Sequence, residues 1–187
     1  MWQALKKWLQ TPPEREAAHR LYTTLVARAR NPFFYSQAGV PDTGEGRFEM
    51  IVLFVALADA RLAAAGEGSK ALRRQLAEVL VDDFDRSLRE MGVGDLSVGK
   101  KVRTLAGSAH LRLRGYAECA VDPARCAGRL GTYLRQHTPS LEGLREEVLA
   151  QGIMRFLSEL NAVPLPLLEK GFLDAEKTAP SAEASPR

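Results

Sequence analysis

An all-α single domain, a bundle of about six or seven helices, is the fold class this sequence predicts, and three observations predict it. Apolar residues recur at three- and four-residue steps through most of the chain, for instance Leu72, Leu76, Val79, Leu80, Phe84 and Leu88. The stripes are separated by residues that start or stop helices, such as Thr11-Pro12-Pro13, Gly66, Gly92 and Asp122-Pro123. No stretch alternates as a strand would, and no internal repeat is present. The 187 residues fit one domain, and 45% hydrophobic content is enough to build its core. Three parts are expected: a short basic amphipathic helix over residues 1–10, a helical domain over 11–173, and a disordered tail over 174–187 that lacks large apolar side chains.

Thr11 is positioned to cap the first helix of the domain, with Pro12 in its opening turn and Glu14 completing a capping box. Ala18, Leu21, Tyr22, Leu25, Val26 and Ala29 form its stripe, and Pro32 bounds it. Residues 31–48 mix Pro and Gly with the aromatics Phe33, Phe34 and Tyr35 and read as a structured loop. A second helix begins near Thr43 or Gly46. Its residues 48–65 are apolar on almost every face, as suits a central helix, and Gly66, Glu67 and Gly68 end it. Ser69 is placed to cap the third, which Gly92 stops. Asp95 or Ser97 can cap the fourth, with Val98, Val102, Leu105, Ala109, Leu113 and Tyr116 on one side. Asp122-Pro123 opens a fifth, to about His137, and Ser140 a sixth, carrying Leu141, Leu144, Val148, Ile153, Phe156, Leu157 and Leu160 to Pro164.

Composition excludes several functions. The net charge of +3 comes from 26 basic residues interspersed with 23 acidic ones, so no field for sequence-specific nucleic-acid binding follows. The two cysteines, Cys119 and Cys126, match neither a CxxC redox pair nor a zinc spacing, and read as two small, semi-buried thiols of a reducing compartment. The start has no secretory h-region, and the apolar run over residues 50–58 is far short of the ~20 residues a spanning helix needs. A soluble, cytoplasmic chain is expected. His19, His110 and His137 fall on different helices without carboxylates at metal spacing, and no serine sits in a nucleophile elbow. An enzyme, a metal site and a cofactor are therefore not expected.

Residues 91–101, MGVGDLSVGKK, contain the GxxxxGK pattern of a phosphate loop. Such a loop follows a strand and needs Ser or Thr after its lysine. Here an amphipathic helix precedes Gly94, and Lys101 follows Lys100. Nucleotide hydrolysis fails on both counts. The competing reading is a corner between two helices, shaped by positive φ at Gly92 and Gly94, with Asp83, Arg89, Glu90, Asp95, Lys100 and Lys101 crowded about it. Such a cluster is either a solvated face or a docking surface.

The phrases NPFFY, GVPDTGEGRFE and DDFDRSLREMGVGDLSVGKKVR, spread between residues 31 and 103, resemble the ubiquinol-cytochrome c chaperone family. The resemblance runs from about Leu21 to Tyr133 and suggests a bacterial member. It implies an all-helical, non-catalytic assembly chaperone that binds nascent or newly inserted cytochrome b of the bc1 complex, in contact with the ribosome or the inner-membrane surface. One phrase departs: where the family is expected to carry an aromatic-Tyr-Gly-Arg sequence, this chain reads AHLRLRGYAE over residues 109–118.

A partner for emerging transmembrane segments needs an apolar surface rimmed by charge. Phe33, Phe34 and Tyr35 are candidates for the apolar part, although each fits a lid on the core equally well. The charged part would be Asp83, Arg89, Glu90, Asp95, Lys100 and Lys101. At the N-terminus, Trp2, Lys6, Lys7 and Trp8 can touch an anionic membrane or the ribosome, or the tryptophans can dock on the domain. The membrane contact defines the alternative function, a peripheral lipid-binding helical protein.

Overall fold

The computed structural model describes residues 13–138, 141 and 143–173. Among them run seven α-helices and no strand. They are α1 (Pro13–Ala29), α2 (Gly44–Ala63), α3 (Lys70–Glu90), α4 (Asp95–Ala117), α5 (Pro123–His137), α6 (Glu146–Ala162) and the short α7 (Leu165–Glu169). The expectations on Thr11 as a cap, on residues 1–10 and on the tail lie outside the described residues.

α2 is the hub. Every residue from Glu49 to Ala58 is buried, because α2 packs against each of the other helices and has no face left for water. Its start is fixed by Thr43, whose hydroxyl accepts from the Gly46 amide at 3.2 Å. Around it α1 pairs with α3, α5 pairs with α6, and α4 packs on both α2 and α3. Phe54 stacks on Phe156 of α6 at 4.3 Å between ring centroids, and Phe48 meets Phe84 of α3 at 5.3 Å. No helix among the described residues is long and apolar enough to cross a membrane.

Four boundaries differ from the sequence reading, each for a stated reason. Ser69 precedes α3 but does not cap it, because its hydroxyl donates to Glu169 at 2.7 Å and ties α3 to α7. Neither Asp95 nor Ser97 caps α4: Gly94 occupies the cap position, Asp95 is the first helical residue, and the Ser97 hydroxyl donates to the Gly94 carbonyl. α6 begins at Glu146, not near Ser140. The Arg145 amide donates to the Ala38 carbonyl at 2.8 Å, and the Gly143 backbone lies against Gly39, so this part of the chain is tied to residues 38–39 before the helix starts. Leu141 and Leu144 therefore pack on the core from outside the helix. α7 is an added turn that starts with Pro166 in its first positions, where a proline is tolerated.

Candidate functional site

The corner between α3 and α4 is closed by backbone chemistry. Gly92, at φ +77°, lets its amide donate to Arg89 and the Val93 amide to Leu88, the paired bonds of a Schellman motif. Gly94 is at φ −62° and ψ 148°, ordinary extended backbone, so positive φ is required of Gly92 alone. Gly99 and Lys100 lie within α4, which removes the loop that a phosphate would need.

Arg89 spans the corner. Its Nε donates to Asp85 and its Nη1 to Asp95, both at 2.6 Å, joining the last turn of α3 to the first residue of α4. The Asp95 side chain is 90% exposed, so water competes for this contact. Asp83 serves a different end. It is half-buried and accepts from the Tyr22 hydroxyl at 2.8 Å, which holds α3 to α1, and burial followed by the Asp83 charge pushes the Tyr22 phenol far up. Asp82 repeats the link outside, to Arg15 at 3.1 Å.

Glu90, Lys100 and Lys101 are exposed and, among the described residues, take no ion-pair partner. The lysines belong to a larger feature. Lys100, Arg103, His110, Leu111 and Arg114 recur at helical spacing on the outer face of α4. The acids at its two ends are occupied by arginines, Asp95 by Arg89 and Glu118 by Arg129. The face between is cationic, and Leu111 stands 67% exposed within it. Leu111 and Arg114 were missed in the sequence. The period-3.6 pattern of basic residues was the available signal.

The aromatic segment is a π turn over Phe33–Gln37, with the Ala38 amide donating to Phe33. Its three rings separate in depth. Phe34 is only 5% exposed and meets Phe54 edge to face at 5.4 Å, so it is a core residue. Phe33 is half-buried on the rim of a cleft of about 240 Å³ lined by Asn31, Gly152, Arg155 and Glu159, with the Arg155 guanidinium 5.5 Å from its ring centre. Tyr35 is half-buried and donates to the Ala29 carbonyl at 3.0 Å. The seat for the two phenylalanines is Gly152 on α6. A Cβ there would come within 2.5 Å of Phe34 and 2.7 Å of Phe33.

A buried polar cluster had no place in the sequence reading. Glu49 of α2 is fully buried, accepting from Arg112 Nε and from the Tyr116 hydroxyl at 3.2 Å. Arg112 lies between the Tyr133 ring at 4.7 Å and the Phe48 ring at 5.7 Å. Burial raises the Glu49 carboxyl above its ordinary value, opposed by Arg112, and raises the Tyr116 phenol well above its own. Tyr116 thus remains a neutral donor. Both key residues sit in the departing phrase AHLRLRGYAE, and the outward sign was a carboxylate at the start of an apolar run.

The structure keeps the corner and the aromatic segment on different elements, the α3–α4 junction and the α1–α2 connection packed on α6. Trp2, Lys6, Lys7 and Trp8 lie outside the described residues. Cys119 and Cys126 are fully buried rather than semi-buried, and they meet.

The sequence profile of the family described as "Ubiquinol-cytochrome C chaperone" matches residues 36–138, which takes in α2 through α5 and starts just after Tyr35. The chain is 26% identical over 168 residues to the mouse (Mus musculus) "Ubiquinol-cytochrome c reductase complex assembly factor 1", covering 82% of this chain and 56% of that protein. It therefore spans little more than half the length of this curated relative. Its fold is similar to the crystal structure of the Cbp3 homolog from Brucella abortus, with a TM-score of 0.70 and 31% identity over 91% of this chain and 93% of that one.

Proposed function

We propose that this chain, which belongs to the ubiquinol-cytochrome C chaperone family, is an assembly chaperone of the bc1 complex and that its client is nascent or newly inserted cytochrome b. The observation that carries the reading is the family match across the corner and the whole of α4, the elements that present unpaired charge. The chain acts by binding alone. Lys100 and Lys101, extended by Arg103 and Arg114, meet the polar loops of the client, while Glu90 and the Arg89–Asp95 pair set the charge pattern at the end of that face. Gly92 holds the corner in shape. Phe33, with the rim of Tyr35, offers the apolar contact; Phe34 supports them from the core, as does Asp83 from α1. The encounter takes place at the membrane surface where the client is inserted.

Photocrosslinking in cells tests this, with a probe at Lys100, a second at Phe33 and a control at the exposed Thr132 on α5. Cytochrome b enriched at Lys100 and Phe33 over Thr132 is the expected result. Equal labelling at all three positions, or a different bc1 subunit at the first two, overturns the client assignment. Labelling by lipid alone replaces it with the peripheral lipid-binding reading.

A further inference from the structure

The chain between α4 and α5 is a short turn that carries Cys119, and Cys126 lies in the first turn of α5. The Cys119 amide donates to Tyr116, and the Asp122 amide donates to Cys119 at 2.9 Å, so the turn folds back on itself and Asp122 then caps α5 through the Arg125 amide. This brings Cys119 Sγ to 2.7 Å from Cys126 Sγ, with both side chains fully buried. A disulfide bond is about 2.0 Å long, so the sulfurs need approach by only about 0.7 Å to bond. Each thiol now has a carbonyl to donate to: Cys119 to Tyr116 at 3.3 Å, Cys126 to Cys119 at 2.9 Å.

We infer that Cys119 and Cys126 are a dithiol site that closes to an intramolecular disulfide when a disulfide-class oxidant reaches the α4–α5 turn. The reaction is thiol–disulfide exchange. One cysteine thiolate attacks a sulfur of the oxidant, forming a mixed disulfide and releasing one thiol; the second cysteine attacks the protein sulfur of that adduct and releases the other. Two protein thiols are oxidised to one S–S bond, the oxidant disulfide is reduced to two thiols, and the two protons leave with them. The second step is favoured because its sulfur is already in contact.

Burial raises the Cys126 thiol, so it stays protonated at neutral pH, and both cysteines are free in this structure. The turn beside the pair is the exposed part of the chain there, with Val121 95% exposed and both cysteines fully buried, so the exchange requires the turn to open. The bond would close a loop of eight residues and fix the end of α4 to the start of α5. Tyr116, the acceptor of the Cys119 thiol, is also the donor to buried Glu49, so the staple lies one residue contact from that cluster. Nothing in this inference depends on the identity of the client.

The full chain incubated for hours with oxidised glutathione, followed by intact-mass analysis, tests it. The expected product is a monomer lighter by two hydrogens, with both cysteines blocked to alkylation in denaturant, a melting temperature higher by about 5 °C, and full reversal by dithiothreitol. Cys119→Ser and Cys126→Ser should each lose the two-hydrogen change and instead hold one glutathione. An unchanged wild-type mass, a persistent glutathione adduct on the wild type, or disulfide-linked dimers overturns the inference. The wild-type measurement stands alone if either variant fails to fold.

Discussion

Arg89 and Arg112 have the same chemistry and opposite settings. Each guanidinium joins two elements through carboxylates, Arg89 through Asp85 and Asp95 at the α3–α4 corner, Arg112 through Glu49 between α4 and α2. The Arg89 side chain is 49% exposed and Asp95 90%, whereas the Arg112 and Glu49 side chains are 9% and 0%. At the corner, water replaces whatever the pair loses. In the core nothing does, so removing one partner strands the other. The comparison separates a surface whose charges are available for another molecule from a cluster whose charges belong to the fold.

The strongest way to break the comparison is Arg112→Ala. It leaves the Glu49 carboxylate without its cation, and a loss of about 3–5 kcal/mol in chemical denaturation is expected, the cost typical of a broken buried pair. Arg112→Lys should recover only part, because an ammonium cannot reproduce the planar contact with the Tyr133 and Phe48 rings. The pH dependence carries a sign that a purely steric defect lacks. Glu49 is raised in the folded chain, so the folded state takes up its proton before the unfolded one does. Its contribution to stability is therefore complete below the ordinary glutamate value of about 4.3 and is lost as pH rises through the folded value. Arg112→Ala removes the cation that opposes this shift and widens the window. The stability gap between variant and wild type should narrow as pH falls from 7 towards 4.5; a gap that stays constant would mean that lost packing, not stranded charge, is the cause.

Gly152→Ala comes next in size and asks whether the aromatic segment behaves like the core or like the corner. The added Cβ meets the edges of Phe33 and Phe34, and ring edges in a packed seat yield less easily than a lysine tip. A loss of about 1–3 kcal/mol is expected, with the π turn loosened and Phe33 more exposed to solvent, as hydrogen exchange over residues 33–40 would register. An unchanged midpoint would place the segment with the corner, as a surface feature.

How much of this was legible in the sequence depends on the range of the cause. Helix positions follow from local periodicity, and α2 was readable as the centre because residues 50–58 leave no polar face. Gly92 was legible as a stop because the helix before it runs out there. The start of α6 was not, since it depends on Arg145 reaching the carbonyl of Ala38, a partner far off in sequence that leaves no local mark. Phe33 and Phe34 are indistinguishable as adjacent letters; Phe34 becomes core by meeting Phe54, while Phe33 stays at the rim beside Arg155. Glu49 and Arg112 are 63 residues apart, and single-chain reading has no signal that joins them. The two cysteines are only seven residues apart, but their spacing matches no motif, and the sulfur contact depends on how the turn between them folds back.

The smallest effect on stability is expected at the corner, and there it is most informative. Arg89→Ala and the double change Lys100→Glu with Lys101→Glu should both leave the thermal midpoint close to wild type, because these side chains are bathed in water and the Gly92 turn does not need them. Their effects on client capture should differ. Arg89 is already occupied by Asp85 and Asp95, while the lysines have no partner among the described residues, so charge reversal at the lysines should reduce capture on the order of tenfold at low salt and less as salt rises. Arg89→Ala frees Asp95 and adds negative charge beside the cationic face, which should weaken capture by a smaller step. If instead Arg89→Ala is the more damaging at an unchanged midpoint, the ordered Arg89–Asp95 pair is itself the contact. If the lysine variant lowers the midpoint, those charges support the fold, and the distinction between corner and core fails at its clearest point.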